Sequence, residues 1–172
     1  RLNDIYEGNL EKRGVTYISG QARFVDATTV DVDGEQYSAE KIVIATGGYP
    51  IVPDIPGAEY GITSDGFFKL PDRPRKVALI GSGYISVELA GIFHELGSET
   101  SILVRYDGVL RSFDAMLRRE LEAAMTASGL TLEKGVIPRE LSESANGLRL
   151  HAEDGREFGD FDAVRSEEHT SE

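Results

Sequence analysis

Residues 75–93, RKVALIGSGYISVELAGIF, constrain the fold more than any other part of the chain. An apolar run from Val77 to Ile80 enters Gly81-Ser82-Gly83, and beyond the glycines Ile85, Leu89, Phe93 and Leu96 recur at helical spacing up to Gly97. A strand without polar alternation is buried on both faces, which calls for a parallel sheet covered on each side. The glycines between strand and helix suit a phosphate-binding turn. Gly81 permits the tight turn, and Gly83 lets the backbone approach a pyrophosphate where free N–H groups and the helix dipole favour an anion. Ser86 stands where a third glycine or an alanine is usual, and is small enough for close helix–strand packing. The strand before and the helix after give this short pattern its weight.

The β-α order continues downstream. TSILVR, residues 100–105, reads as the next strand, and Asp114 as the N-cap of a helix through Ser128 buried through Leu117, Leu121, Ala124 and Met125. Asn146-Gly147 and Asp154-Gly155 mark tight turns joining three short strands, and Phe161 to Val164 begins a further buried strand. The predicted fold class is α/β: a Rossmann-like dinucleotide-binding domain made of a parallel sheet with helices plus a three-stranded meander.

Upstream the pattern differs. Leu2, Ile5, Tyr6 and Leu10 have helical spacing with Gly14 as a C-terminal cap, and the helix is expected to start before the chain does. VTYIS, ARFV and TVDV are β-type runs, Asp33-Gly34 signals a hairpin, and KIVIATGG at 41–48 predicts a strand buried on both faces. Pro50, Pro53, Pro56 and Pro71 mark a crossing segment, so residues 1–48 and 49–164 are expected to be separate domains, the first incomplete.

The final RSEEHTSE, residues 165–172, replaces the continuation of the last strand with polar residues. One back-translation of it matches a widely used sequencing adapter, so it is expected to be a non-native tail. Acidic residues outnumber basic ones 30 to 18, a net charge of −12. The tail holds one arginine and three glutamates, which leaves −10 on the remainder. This balance argues against nucleic-acid and anionic-membrane partners, which select basic surfaces, and no run approaches the roughly 18 apolar residues of a membrane-spanning helix. The chain contains no cysteine, so it supplies no disulfide, thiolate nucleophile or Cys-ligated metal.

The nucleotide is read from the tip of the second strand. An NAD-type fold carries Asp or Glu about 20 residues beyond the glycines, on the ribose 2′-OH. Here the strand ends Leu103-Val104-Arg105, followed by Tyr106 and Arg111, with Asp107 the one nearby carboxylate that competes for a ribose. Guanidinium groups suit a phosphate, so the expected cofactor is NADPH rather than NADH.

ATGG at 45–48, GITSDGFF at 61–68, GSGYISVELAGIF at 81–93 and VLRSFD at 109–114 together resemble the glutathione reductases of the FAD-dependent pyridine nucleotide-disulfide oxidoreductases, over residues 1–164. Trypanothione reductases share these motifs, and a stand-alone NADP-binding module is the rival from another class. The resemblance implies a homodimeric, cytoplasmic flavoenzyme that reduces glutathione disulfide through FAD and a redox-active disulfide, with this chain its central fragment. It implies that Ala22 and the Ala45-Thr46-Gly47 turn line FAD. Gly81, Ser82, Gly83, Ile85 and Glu88 would contact the NADPH pyrophosphate and nicotinamide, Arg105 and Arg111 the 2′-phosphate, while Tyr84 gates the flavin. Glu88 would also support the flavin site through a lysine outside the chain. The redox cysteines, and the acid–base histidine of a C-terminal dimerisation domain, would lie outside it too. His94, His151 and His169 do not fall where that histidine is expected.

Overall fold

The computed structural model describes residues 2–166. The chain divides between Gly47 and Gly48 into two compact units.

The first unit opens with α1 (Leu2–Lys12). Gly14 adopts φ 67°, and the Val15 N–H returns to the Leu10 carbonyl at 3.0 Å, which closes the helix end as its sequence predicts. Strands β1 (Ala22–Asp26), β2 (Thr29–Val32) and β3 (Glu35–Ser38) form an antiparallel sheet in that order. Asp33 and Gly34, both at positive φ, make the two-residue turn between β2 and β3.

Two expected strands are not formed. VTYIS and KIVIATGG have no strand assignment, and Val43 and Ile44 are 86% and 69% exposed. A strand exists only through hydrogen bonds to a neighbour, and β1, β2 and β3 pair with one another. The apolar pattern of KIVIATGG therefore has no covering layer among the described residues of this unit.

The second unit carries the predicted α/β architecture. Strands β4 (Lys76–Ile80), β5 (Glu99–Val104), β6 (Thr131–Lys134) and β10 (Ala163–Ser166) form a parallel sheet in the order β10-β4-β5-β6. Helix α3 (Tyr84–Glu95) links β4 to β5, and α4 (Ala115–Ser128) links β5 to β6. A short helix α2 (Ser64–Phe67) lies in the proline-rich approach. In that approach Ile62 bridges Arg165 at the edge of β10, its N–H donating to the Val164 carbonyl at 2.8 Å. Gly135, at φ 67°, separates β6 from the antiparallel meander β7 (Pro138–Ser144), β8 (Gly147–Ala152) and β9 (Glu157–Phe161).

Strand alternation sorts the core into two layers. Val77, Leu79, Ile102 and Val104 pack with Leu89, Ala90 and Phe93 of α3 and Met125 of α4. Ala78, Ile80, Leu103 and Val164 pack on the other face with Leu141, Leu150 and Phe161 of the meander. Covering both faces is what the uninterrupted KVALI run requires. Fully buried side chains such as Leu79, Ile102 and Leu150 each contribute roughly 1.5–3 kcal/mol.

Two details depart from the sequence pattern. The inward face of α4 is Arg118, Leu121, Glu122 and Met125, while Leu117 and Ala124 are exposed. The stripe is turned because Arg118 and Glu122 engage backbone, as described below. At the chain's other end, β10 continues through Arg165 and Ser166, paired with Leu79 and Ile80. A parallel ladder uses only backbone groups, so polar residues extend it; the Arg165 guanidinium reaches Ser86 Oγ at 2.7 Å. Residues 167–172 of the expected tail lie outside the described residues.

Candidate functional site

The C-terminal edge of β4 and β5 presents two loops side by side, the place where open α/β sheets bind ligands. The first is Gly81-Ser82-Gly83. Gly81 has φ 125°, a conformation that side-chain-bearing residues rarely adopt, and its N–H donates to the Leu103 carbonyl of β5 at 3.0 Å. Gly83 is the N-cap of α3 in an extended conformation, with no side chain capping the helix. A Cβ built on Gly83 would meet nothing within 4 Å. Neither backbone strain nor protein crowding requires glycine there, and the open space lets a ligand approach the uncapped helix end.

The first turn of α3 divides its residues by role. Ser86 is buried against the sheet, as close helix–strand packing demands, and Ile85 is half-buried. Tyr84 is 58% exposed, so its ring does not pack on the sheet, and Glu88, one turn later on the same face, is exposed as well.

The second loop runs from Arg105 to Phe113, between β5 and α4. Arg105 and Arg111 stand near its two ends, both exposed, and the Arg111 guanidinium stacks 3.7 Å from the centroid of the Tyr106 ring. The loop is held at several points. The Gly135 N–H donates to the Tyr106 carbonyl at 3.2 Å, and the Leu110 N–H to the Ser82 carbonyl at 2.7 Å. Val109 is gripped from α4: its N–H donates to Glu122 Oε1 at 3.0 Å, and its carbonyl accepts from Arg118 Nε at 2.9 Å. Asp107, the carboxylate of this loop, pairs with Arg118 Nη2 at 3.5 Å.

The structure thus brings Gly81, Ser82, Gly83, Tyr84, Ile85, Glu88, Arg105 and Arg111 to one edge of the second unit. Ala22, Ala45, Thr46 and Gly47 belong to the first unit and are exposed there: Ala22 opens β1 opposite Val32, and Gly47 has φ 70°. His94 and His151 serve the scaffold. His94 Nε2 lies 3.0 Å from the Ser128 carbonyl, and His151 joins Ser142 and Glu157. The stacking of Tyr106 and the grip of Arg118 and Glu122 on the loop are contacts that periodicity does not reveal.

A family model described as pyridine nucleotide-disulphide oxidoreductase matches residues 1–165. The chain belongs to this family. Within it, the chain is 45% identical to the glutathione reductase of Yarrowia lipolytica, an alignment covering 91% of this chain and 36% of that protein. It is 46% identical to the glutathione reductase of Schizosaccharomyces pombe, covering 92% and 36%. The chloroplastic/mitochondrial glutathione reductase of Pisum sativum is 43% identical, covering 92% and 29%. The chain therefore spans about a third of the length of these curated relatives. Among solved structures, the HOCl-induced flavoprotein disulfide reductase RclA from Escherichia coli has a TM-score of 0.83 at 26% identity, covering 99% of this chain and 41% of that one. LpdA from Mycobacterium tuberculosis shares the fold, with a TM-score of 0.79 at 23% identity over 92% and 37%. In this pyridine nucleotide-disulphide oxidoreductase, no helix among the described residues is long and apolar enough to cross a membrane.

Proposed function

We propose that the chain forms the NADPH-docking surface, and part of the FAD wall, of a flavoenzyme that reduces glutathione disulfide. The observation that carries this reading is the tip of β5, which has no carboxylate and places Arg105 and Arg111 on a loop hydrogen-bonded to the glycine turn. Identity of 43–46% to proteins named glutathione reductase supports the substrate.

The residues present suit both cofactors. Gly81, Ser82, Gly83 and Ile85 would hold the pyrophosphate at the uncapped end of α3, where open space at Gly83 gives access. Arg105 and Arg111 would take the 2′-phosphate. Ala22, Ala45, Thr46 and Gly47 would line the flavin; a Cβ at Gly47 or Gly48 would meet no neighbour, so backbone there is open to a ligand. When bound, the pair supplies hydride transfer from nicotinamide to flavin and onward reduction of a disulfide.

The chain's own residues bind and orient. Tyr84, exposed on the first turn of α3, would cover the flavin-facing end of the nicotinamide site and swing aside on binding. Glu88, on the same face, would support the nicotinamide. The net reaction takes NADPH, a proton and glutathione disulfide to NADP⁺ and two glutathiones. It needs a protein thiolate pair that this cysteine-free chain does not contain. We assign that pair, an acid–base histidine and a homodimer contact to other parts of the parent protein.

The test is Arg105→Glu. NADPH affinity is expected to fall about tenfold more than NADH affinity, as loss of a charge-assisted phosphate contact implies. An unchanged ratio would remove Arg105 from the site.

A further inference from the structure

We propose that Glu122 and Arg118 of α4 are positioning residues for the 2′-phosphate site, setting the shape of the loop that carries Arg105 and Arg111. The inference rests on the NADPH reading above and names the residues that would create its selectivity.

Three observations converge on the clamp. First, both polar backbone groups of Val109 are taken by α4 side chains, the N–H by Glu122 and the carbonyl by Arg118. Both lie on the inward face of their helix beside Leu121 and Met125, where the sequence pattern expects Leu117 and Ala124 instead. Second, Gly108 is not at positive φ, so conformation does not call for glycine there. A Cβ on it would overlap the Glu122 carboxylate, so the glycine makes room for the clamp. Third, the next residue, Leu110, is held at φ 53° with its N–H on the Ser82 carbonyl. A non-glycine residue in this region persists where its surroundings over-determine it.

The electrostatics fit a phosphate neighbour. A bare carboxylate beside the anion would repel it, but Glu122 Oε2 is paired with Lys134 Nζ at 2.6 Å. Glu122 therefore orders the loop with its charge offset. Arg118 donates to the Val109 carbonyl and pairs with Asp107, a carboxylate of the loop beyond the strand tip, at 3.5 Å.

The test titrates the chain with 2′-phospho-AMP and with AMP by calorimetry, comparing wild type, Glu122→Ala and Glu122→Gln. Gln keeps an oxygen to accept the Val109 N–H. Glu122→Ala is expected to weaken 2′-phospho-AMP about fivefold or more, with AMP changed less than about twofold, and Gln to restore most of the loss. Gly108→Ala, which displaces the carboxylate while leaving α4 intact, is expected to reproduce the selective loss and gives a second reading if Glu122→Ala does not fold. A wild-type preference for 2′-phospho-AMP that both Glu122→Ala and Gly108→Ala leave unchanged, or equal weakening of both ligands, would overturn the clamp alone. Equal wild-type affinities would overturn the NADPH reading and the clamp with it.

Discussion

The Leu110 N–H donates to the Ser82 carbonyl at 2.7 Å, joining the loop after β5 to the glycine turn after β4. The glycine turn and the arginine-bearing loop are therefore one connected surface. Ser82 belongs to the turn that would meet the pyrophosphate, and Leu110 precedes Arg111, which would meet the 2′-phosphate.

This bond gives a prediction at position 110. Leu110→Gly keeps the N–H and suits the positive φ, whereas Leu110→Pro removes the donor and fixes φ near −65°. The proline variant is expected to lose NADPH affinity by about tenfold or more relative to the glycine variant. A fluorescence titration that finds the two variants equal would show that the bond does not organise the site.

The second prediction concerns acid stability. Asp162 Oδ2 accepts the N–H groups of Arg75 and Lys76, at 2.7 and 3.0 Å, at the start of β4. The Lys76 N–H holds its carboxyl below the usual aspartate range; burial opposes this, and the N–H and charge of Arg75 add to the lowering. A depressed carboxylate stabilises the fold above its unfolded value of about 3.9. That contribution is lost as pH falls through the lower folded value. Asp162→Asn is therefore expected to be less stable than wild type at neutral pH, with the gap closing below about pH 4. Urea denaturation at neutral and acid pH checks it; a gap that persists or widens in acid would contradict the assignment.

How much was legible in the sequence depended on whether the information was local. KVALI announces burial on both faces because all its residues share one environment, and Asp114 announces a helix start because its carboxylate accepts the Met116 N–H two residues on, at 2.8 Å. KIVIATGG carries the same apolar signal, but a strand needs a partner, and its own unit supplies none among the described residues. Arg105 and Arg111 were visible as charges at a strand tip. The Arg111–Tyr106 stack and the grip of Glu122 on Val109, 13 residues away, were not, because contacts between a side chain and distant backbone leave no period. Leu117 and Ala124 illustrate the consequence: their spacing suggested burial, but polar commitments at Arg118 and Glu122 turn the helix elsewhere.

The central claim is that Arg105 and Arg111 make a site for the nucleotide's 2′-phosphate. Calorimetric titration of the wild-type chain with 2′-phospho-AMP and with AMP tests it most directly. The account predicts that 2′-phospho-AMP binds about tenfold or more tightly, with the preference shrinking as salt is raised. Equal affinities at low salt would contradict it.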